Sequence, residues 1–281
     1  MGFYPQPNSW ICGPFALKHA LAVWGRFVRE WDLARVAGSN CSGTDERELG
    51  RAAASLGFDL GMERFHEGEA ARHALVAHLT AGVPTLLCIE QWDHWVTAVA
   101  TEDDEFVLFD SRFPSVVRVL EREALLAKWR YHDAEIGDRD LYDLHPLAPR
   151  LPTRVRASFT LERARELMRF ENLELTRRWA ELTSSLVELG AVSGGGEPDL
   201  FSVSLPDYLR AWQRGQPRAG IASPKVMARA IDQLVFVAAT YDFVLSIVDA
   251  ERTERQLNAI MRRTVRMREL AATDRVAAAH R

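Results

Sequence analysis

Four helical patterns followed by four short apolar runs constrain the first half of this chain more than any other feature. The helical patterns cover residues 13–25, 28–37, 45–56 and 67–80. The apolar runs, whose length and content of Val, Leu, Phe and Trp are typical of strands, cover residues 84–89, 95–100, 106–109 and 116–120. Helices that precede strands without regular alternation predict an α+β domain with an antiparallel sheet.

The second half of the chain shows only helical periodicity. Pro146, Pro149 and Pro152 predict a linker between the two halves. Long apolar-faced patterns then cover residues 160–189, 224–248 and 251–272, with a Gly/Ser/Pro-rich break at 193–198. The predicted organisation is an N-terminal α+β domain over residues 1–148, a linker over 149–157 and an all-α helical bundle domain over 158–281.

Composition excludes several classes of function. The chain has 281 residues, of which 47% are hydrophobic and 26% charged, as in an ordinary globular protein. A net charge of -4 gives no electrostatic reason to expect a nucleic-acid partner. The apolar stretch 234–248 is shorter than the ~20 residues that a bilayer requires and contains Asp242, so we expect no membrane span. The N-terminus lacks a secretory signal pattern, which predicts a reducing, cytoplasmic location.

The sequence gives no reason to expect a cofactor or a bound metal. Its three cysteines form no paired zinc motif. His66, His73 and His78 share one predicted helix, but their spacings of seven and five do not form a metal-binding face. The arginines of the last helical pattern are typical of a solvated helix face, and an anionic partner is the less common alternative.

Cys12 has the strongest case for chemistry among the cysteines. It directly precedes Gly13, Pro14 and an apolar helical pattern, so its thiol is expected at a helix N-terminus. Unpaired backbone N–H groups and the positive end of the helix dipole favour a thiolate there. A cysteine at the start of a helix is more often a small buried hydrophobic residue. The residues around Cys12 must therefore distinguish a structural cysteine from a reactive one. Cys88, inside an apolar run, is expected in the core, and Cys41 in a polar loop.

Three polar residues are candidate partners for Cys12. His94 precedes the run 95–100, and Asp110 follows the run that pairs back across a predicted hairpin turn. In a hairpin the entrance of one strand faces the exit of the other, and strand alternation is compatible with a side-chain contact. Such a carboxylate would orient the imidazole to serve the thiol. Gln6, six residues before Cys12, offers an amide donor for an oxyanion hole.

These residues belong to blocks that resemble the papain-like cysteine peptidases. Gln6 and Cys-Gly-Pro-Phe-Ala-Leu at 12–17 look like the nucleophile region of that clan. Within the clan they are most similar to the bacteriocin-processing, double-glycine peptidase family and its standalone relatives. Further similar blocks are Gly-Thr at 43–44, Ala-Ala-Ser-Leu-Gly-Phe at 53–58, Ala-Gly-Val-Pro-Thr at 81–85, Asp-His-Trp-Val at 93–96 and Phe-Asp-Ser at 109–111. The resemblance covers roughly residues 4–145, about half the chain.

The resemblance implies a papain-like fold for the first domain and a thiol hydrolase that cleaves a peptide bond through an acyl-enzyme. By the same resemblance, Cys12 is the nucleophile, His94 the general base and acid, Asp110 the orienting residue and Gln6 the oxyanion donor. The chain departs from the family at Ser111, where members often have proline after the aspartate. Members that process bacteriocins are usually fused to a membrane exporter, whereas a helical segment follows here.

Two other functions stay open on the sequence. An acyltransferase or amidase would use the same residues with a different acceptor or substrate, so the sequence does not separate it from a peptidase. An inactive peptidase-fold protein would instead bind a partner through its helical domain. The expected partners are therefore a peptide or protein substrate and a protein that docks on the helices. Self-cleavage near Gly194, Gly195 and Gly196 is a further hypothesis.

Overall fold

The protein forms two compact units. A computed structural model describes residues 2–133, 139–153, 157–169, 173–189, 192–193, 202–215 and 224–279. The first unit is Met1–Ala180 and the second is Glu181–Arg281. The helices of the first unit are α1 (Cys12–Val23), α2 (Glu30–Ala37), α3 (Glu46–Ala54), α4 (Gly68–Thr80), α5 (Arg122–Trp129), α6 (Leu161–Met168) and the first part of α7 (Leu173–Glu188). Its strands are β1 (Phe58–Leu60), β2 (Glu63–Phe65), β3 (Thr85–Ile89), β4 (His94–Glu102), β5 (Glu105–Phe109), β6 (Val117–Glu121), β7 (Tyr131–Asp133) and β8 (Arg139–Pro149).

One antiparallel sheet organises the first unit, which confirms the predicted α+β class. Its strand order is β1-β8-β3-β4-β5-β6, and β2 and β7 also pair with β8. Side chains of β3 and β4 alternate between two core clusters. Cys88 and Trp95 pack in the cluster that contains the residues of α1, whereas Leu87 and Val96 pack in the cluster that contains those of α4 and α5.

Helix α1 is buried along its whole length, and specific contacts fix its position on the sheet. The Thr97 hydroxyl of β4 donates to the Ala16 carbonyl of α1 at 2.7 Å. Gly13 allows a close approach to the segment before α3, because a Cβ at this position would lie 3.2 Å from the Cβ of Thr44. These contacts place the first turn of α1 beside the start of β4.

The structure confirms the four helices and four strands predicted before residue 121, and it corrects the region that follows. Helix α5 and the strands β1, β2, β7 and β8 lie where the sequence predicts no element. Pro146 and Pro149, which predicted a linker, lie in β8, and the Pro146 carbonyl still accepts a hydrogen bond from the Gly61 N–H at 2.9 Å. Strand β8 also contains Asp143, whose carboxylate forms two hydrogen bonds of 2.7 Å with Arg64 of β2. The sequence does not predict this strand because it contains two prolines and a charged residue, Asp143, whose partner lies on another strand.

The second unit is mainly helical and contains a small sheet. After the last part of α7, its helices are α8 (Leu205–Gly215), α9 (Pro224–Thr240) and α10 (Ala250–Ala279). Its strands are β9 (Val192–Ser193), β10 (Ser202–Ser204) and β11 (Phe243–Ser246), in the order β10-β11-β9. The predicted helical character is confirmed, but the expectation of helices alone is wrong in this detail. The predicted helix 224–248 ends at Thr240 because Asp242 is left-handed, with φ 48°, and an apolar strand follows.

The structure corrects one further prediction in the second half of the chain and leaves others untested. The predicted helix 160–189 is two helices, α6 and α7. The glycines at 194–196 lie outside the described residues, as does the centre of the predicted linker at 154–156. The division into domains at 148 and 158, and a partner for the helices, stay predictions. Across the described parts of the chain, no helix combines the length and apolar character needed to cross a membrane.

An aromatic cluster surrounds Phe109, the last residue of β5. Phe3 stacks on Phe109 and on Trp179 of α7, with ring centroids 5.2 and 4.5 Å apart, respectively. Phe159 meets Phe109 edge to face at 4.7 Å. Trp179 is fully buried. The beginning of the predicted helical domain therefore contributes to the core of the first unit, and the boundary between the units falls after Ala180.

We expect Trp179→Ala to lower the free energy of unfolding by about 3–5 kcal/mol, the usual cost of removing a fully buried tryptophan. The matched control is Trp31→Ala, because Trp31 is 49% exposed and its loss should cost about 1 kcal/mol or less. Urea unfolding followed by far-UV circular dichroism measures both. Equal losses for the two variants would contradict the packing role of Trp179.

Candidate active site

Cys12 is the first residue of α1, and its side chain belongs to the core cluster that joins α1 to the sheet. The preceding residue, Ile11, has no polar side chain to cap the helix. The first N–H groups of a helix have no partner inside the helix, so they are available to a negative charge at this end. The residue is 4% exposed.

His94 and Asp110 form a buried pair where β4 begins and β5 ends. His94 Nε2 lies 2.7 Å from Asp110 Oδ1, and the two side chains are 1% and 3% exposed. Strands β4 and β5 pair antiparallel, with Thr97 opposite Phe109. The contact between His94 and Asp110 is therefore the one that the hairpin geometry predicts.

The Asp110 carboxylate accepts two further hydrogen bonds. The Arg118 guanidinium of β6 donates from Nη1 to Oδ2 at 2.9 Å, and the backbone N–H of Arg112 donates to Oδ1 at 3.1 Å. Burial raises the pKa of Asp110, but the hydrogen bond and charge of His94 and the hydrogen bond of Arg118 more than offset it, so the pKa lies below its usual value. Asp110 is therefore ionised at neutral pH.

Arg118 was missed by the sequence reasoning, although a signal was present. It interrupts the apolar run 116–120, where a charged residue is unusual unless it has a buried partner. In the structure it lies opposite Leu108 on β5, two residues before Asp110. Its guanidinium also lies 3.8 Å from the centre of the Phe113 ring.

The Cys12 thiol interacts with the His94 imidazole. Burial raises the pKa of Cys12, but interactions with the His94 ring and the Trp95 backbone N–H, together with the charges of His94 and Arg112, lower it below the usual value. The pKa of His94 changes in the opposite direction. Burial lowers it, and the interactions with Asp110 and Cys12 raise it above its usual value. The two shifts favour a thiolate beside an imidazolium.

The two nitrogens of the His94 ring have different surroundings. Nε2 is bonded to Asp110, whereas Nδ1 is buried and has no conventional hydrogen-bond partner among the described residues. A ring oriented by a carboxylate at one nitrogen can exchange a proton at the other. Nδ1 is therefore the nitrogen that is available to the Cys12 thiol.

Gln6 lies beside the residue that follows Asp110, because its backbone N–H donates to the Ser111 carbonyl at 2.8 Å. The Ser111 hydroxyl donates to Gln6 Oε1 at 2.6 Å, and Gln6 Nε2 donates to the Asn8 carbonyl at 2.6 Å. These bonds fix the orientation of the amide and leave one of its N–H groups for another acceptor. Ser111 stands where the family that the sequence resembles often has proline, and its hydroxyl makes a contact with Gln6 that proline could not make.

Backbone strain is concentrated on both sides of the pair. Three consecutive left-handed residues come just before Asp93 and His94. They are Glu90, Gln91 and Trp92, with φ of 57°, 58° and 61°. Val116, whose carbonyl accepts from the Asp110 N–H at 2.7 Å, has φ 59°. Left-handed conformations of such residues are costly and persist where the surroundings enforce them. The turns that present His94 and Asp110 are therefore held by tertiary contacts.

The other cysteines differ from Cys12. Cys88 is buried in β3, and burial raises the pKa of its thiol, so it is a poor nucleophile. Cys41 is exposed. Within the ranges that the structure describes, no group of His, Cys, Asp and Glu side chains is arranged to hold a metal ion.

A cavity of about 460 Å³ lies next to this site in the first unit. Trp95, which follows His94 and whose backbone N–H helps to lower the pKa of Cys12, contributes to its wall. The wall also includes Thr44, whose carbonyl accepts from the Trp95 indole N–H at 2.9 Å. The cavity has the volume of a ligand pocket.

Comparisons with known proteins find similar solved structures only. No protein-family model matches the sequence, and no protein with a curated description matches it. Among the solved structures is the peptidase domain of ComA from Streptococcus, an ABC transporter described as bifunctional and involved in quorum sensing. It has 18% identity and a TM-score of 0.39, and the match covers 53% of this chain and 98% of that one.

Two further solved structures are similar over about half of this chain. One is a double-glycine-motif protease from an AMS/PCAT transporter, in complex with a leader peptide, with 15% identity, a TM-score of 0.38, and coverage of 50% of this chain and 89% of that one. The other is described as a C39-like peptidase from Bacillus anthracis, with 13% identity, a TM-score of 0.36, and coverage of 51% and 92%. All three are described as peptidases or proteases.

We expect iodoacetamide at pH 6 to alkylate Cys12 faster than Cys41, although Cys41 is the exposed cysteine. The reason is that the lowered pKa of Cys12 keeps a larger fraction as the reactive thiolate in acid solution. Peptide mass spectrometry over a range of pH gives the rate at each cysteine. A Cys12 rate that rises only near pH 8.5, as for an ordinary thiol, would contradict the geometry.

Proposed function

We propose that the protein is a cysteine peptidase that cleaves a peptide bond through an acyl-enzyme. The observation that carries the proposal is the buried 2.7 Å contact between His94 and Asp110, with the thiol of a helix N-terminus interacting with the same ring. A nucleophile, a base and a group that orients the base are the three parts that covalent acyl transfer requires. Their residue types and order suit a thiol hydrolase.

In the first half of the proposed reaction, Cys12 acts as nucleophile and His94 as general acid. The Cys12 thiolate attacks the carbonyl carbon of the scissile bond, and the carbonyl oxygen becomes an oxyanion. The tetrahedral intermediate then collapses, the C–N bond breaks, and the His94 imidazolium gives its Nδ1 proton to the leaving amine. A thioester on Cys12 and a free amine are the products of this half.

In the second half, His94 acts as general base. It removes a proton from a water molecule, whose oxygen attacks the thioester carbonyl. The C–S bond breaks, the carboxylic acid leaves, and the thiolate–imidazolium pair is restored. Asp110 stays ionised throughout and orients the ring, so it contributes without taking the proton itself.

The oxyanion is proposed to be stabilised by the N-terminal end of α1 and by Gln6. Backbone N–H groups at a helix N-terminus are fixed dipoles that need no rearrangement during the reaction. The remaining Nε2 hydrogen of Gln6 is the side-chain donor, and its orientation is supported by the bonds of the amide to Ser111 and Asn8. Gln6 is the only part of the proposed machinery that lies on a loop before α1.

The proposed substrate is a peptide or a protein segment in extended form. The 460 Å³ cavity beside Trp95 supports this class, because it offers room for a substrate side chain beside the residue that follows His94. Among the described residues, its wall includes the acidic residues Asp45, Glu46, Glu48 and Asp143, and Arg64 is its one lysine or arginine. Transfer of the acyl group to an amine rather than to water would use the same residues and would be recognised by its product.

We expect Cys12→Ala and His94→Ala each to abolish turnover of a peptide, and Asp110→Asn to lose less, because the carboxylate only orients the ring. Gln6→Ala should lower the rate by about 10²–10³, the usual loss for one oxyanion donor. A peptide library analysed by mass spectrometry identifies a substrate and its products, and the same substrate then serves for every variant.

The matched control for this series is Cys41→Ser, which removes an exposed thiol and should retain the full rate. Turnover that survives in Cys12→Ala would refute the proposed nucleophile. A product in which an added amine, rather than water, ends on the acyl group would replace hydrolysis by acyl transfer.

A further inference from the structure

Arg112 joins the two turns that present His94 and Asp110, although it belongs to neither strand. Its backbone N–H donates to Asp110 Oδ1 at 3.1 Å. Its guanidinium donates from Nη2 to the Asp93 carbonyl at 3.0 Å and to the Asp93 carboxylate at 2.7 Å. Asp93 directly precedes His94, so one residue contacts the immediate neighbour of the histidine and the carboxylate of the aspartate.

The same guanidinium supports the strained turn before His94. Nη1 of Arg112 donates to Glu90 Oε2 at 3.0 Å, and Glu90 also accepts from Lys128 Nζ at 3.0 Å. The backbone N–H of Glu90 donates to the Lys128 carbonyl at 2.7 Å. Three consecutive left-handed residues are unfavourable by themselves, so contacts of this kind are needed to maintain the turn.

The positive charge of Arg112 also affects the ionisation of the Cys12 thiol. It is among the groups that lower the pKa of Cys12, and the Cys12 charge in turn raises the pKa of Arg112. The neighbouring charged groups include Asp93 and Glu90, which pair with Arg112, and Lys128, which pairs with Glu90. Asp110, which accepts from the Arg112 backbone N–H, and His94 lie on the same side. The Arg112 side chain is 31% exposed, so its effect on Cys12 is screened in part by solvent.

We propose that Arg112 is a positioning residue for the Cys12–His94 pair, in which its planar fork fixes the turn before His94 and its positive charge favours the Cys12 thiolate. The inference rests on the proposed function, to which it adds a residue outside the triad. The two parts of the role are separable. A lysine retains the charge but not the fork geometry, whereas a glutamine removes the charge.

Two variants, Arg112→Gln and Arg112→Lys, test the two parts with two measurements. The first measurement is the rate of Cys12 alkylation by iodoacetamide at pH 6 and pH 9. We expect Arg112→Gln to lower the rate at pH 6 about threefold, the size expected for one partly screened charge, and to match the wild type at pH 9. Arg112→Lys should stay within about twofold of the wild type at both values.

The second measurement is hydrogen–deuterium exchange of the peptide that contains residues 90–94. Both variants lack the fork, so we expect exchange there to be about tenfold faster in both, as expected when a turn opens more readily. Exchange in α4 (Gly68–Thr80) of the same unit should not change, which shows that the fold around the site is intact. The matched control is Arg122→Gln, since Arg122 is an exposed arginine paired with Glu123 that should alter neither measurement.

The outcomes separate this inference from the proposed function. If wild-type Cys12 alkylates as an ordinary thiol, the proposed function fails, and the exchange measurement still decides the role of the fork. If wild-type Cys12 is activated but Arg112→Gln leaves the pH 6 rate unchanged, the role of the charge is overturned. Unchanged exchange of residues 90–94 in both variants overturns the role of the fork.

Discussion

The buried contact between His94 and Asp110 is the constraint on which the arrangement of this site depends. Moving two ionisable side chains out of water costs several kcal/mol for each ion, and only close, complete hydrogen bonding offsets that cost. Asp110 meets this requirement with three donors, from His94, Arg118 and the backbone of Arg112. Its negative charge in turn favours the protonated His94 ring, and that ring favours the thiolate of Cys12. Each of these groups therefore depends on the next for its ionisation state.

The rest of the first unit positions the elements that carry Asp110, His94 and Cys12. The hydrogen bond from Thr97 to Ala16 positions α1 on β4, and Gly13 allows the first turn of α1 to approach Thr44 closely. Phe109, the residue before Asp110, packs against the rings of Phe3 and Phe159, and Phe3 stacks in turn on Trp179 of α7. The start of the helical segment therefore stabilises the core next to the site, although none of the proposed reacting groups lies in α6 or α7.

Much of this unit follows from the sequence, and the parts that do not have identifiable causes. Hydrophobic periodicity predicts α1 and the β4–β5 hairpin, and the hairpin predicts the contact of His94 with Asp110. Strand alternation, by contrast, groups His94 with Val96, whose core cluster contains residues of α4 rather than of α1. His94 reaches Cys12 because it is the first residue of its strand and follows a left-handed turn, which alternation does not describe. The sequence offers no signal for Arg112, because an arginine in a turn usually faces solvent. The apolar run around Arg118 indicates a buried partner for that arginine, but only the tertiary structure shows that both residues donate to the Asp110 carboxylate.

The central claim is that Cys12 and His94 form a thiolate–imidazolium pair, and the protonation state of His94 tests it most directly. The measurement is an NMR titration of the His94 ring in the wild type and in Cys12→Ala. The account predicts that wild-type His94 loses its proton only above pH 6.5, the usual midpoint, and that it does so at lower pH in the variant, because the thiolate no longer favours the charged ring. A ring that is already neutral at pH 6 in the wild type, or one whose titration does not change when the thiol is removed, would contradict the claim.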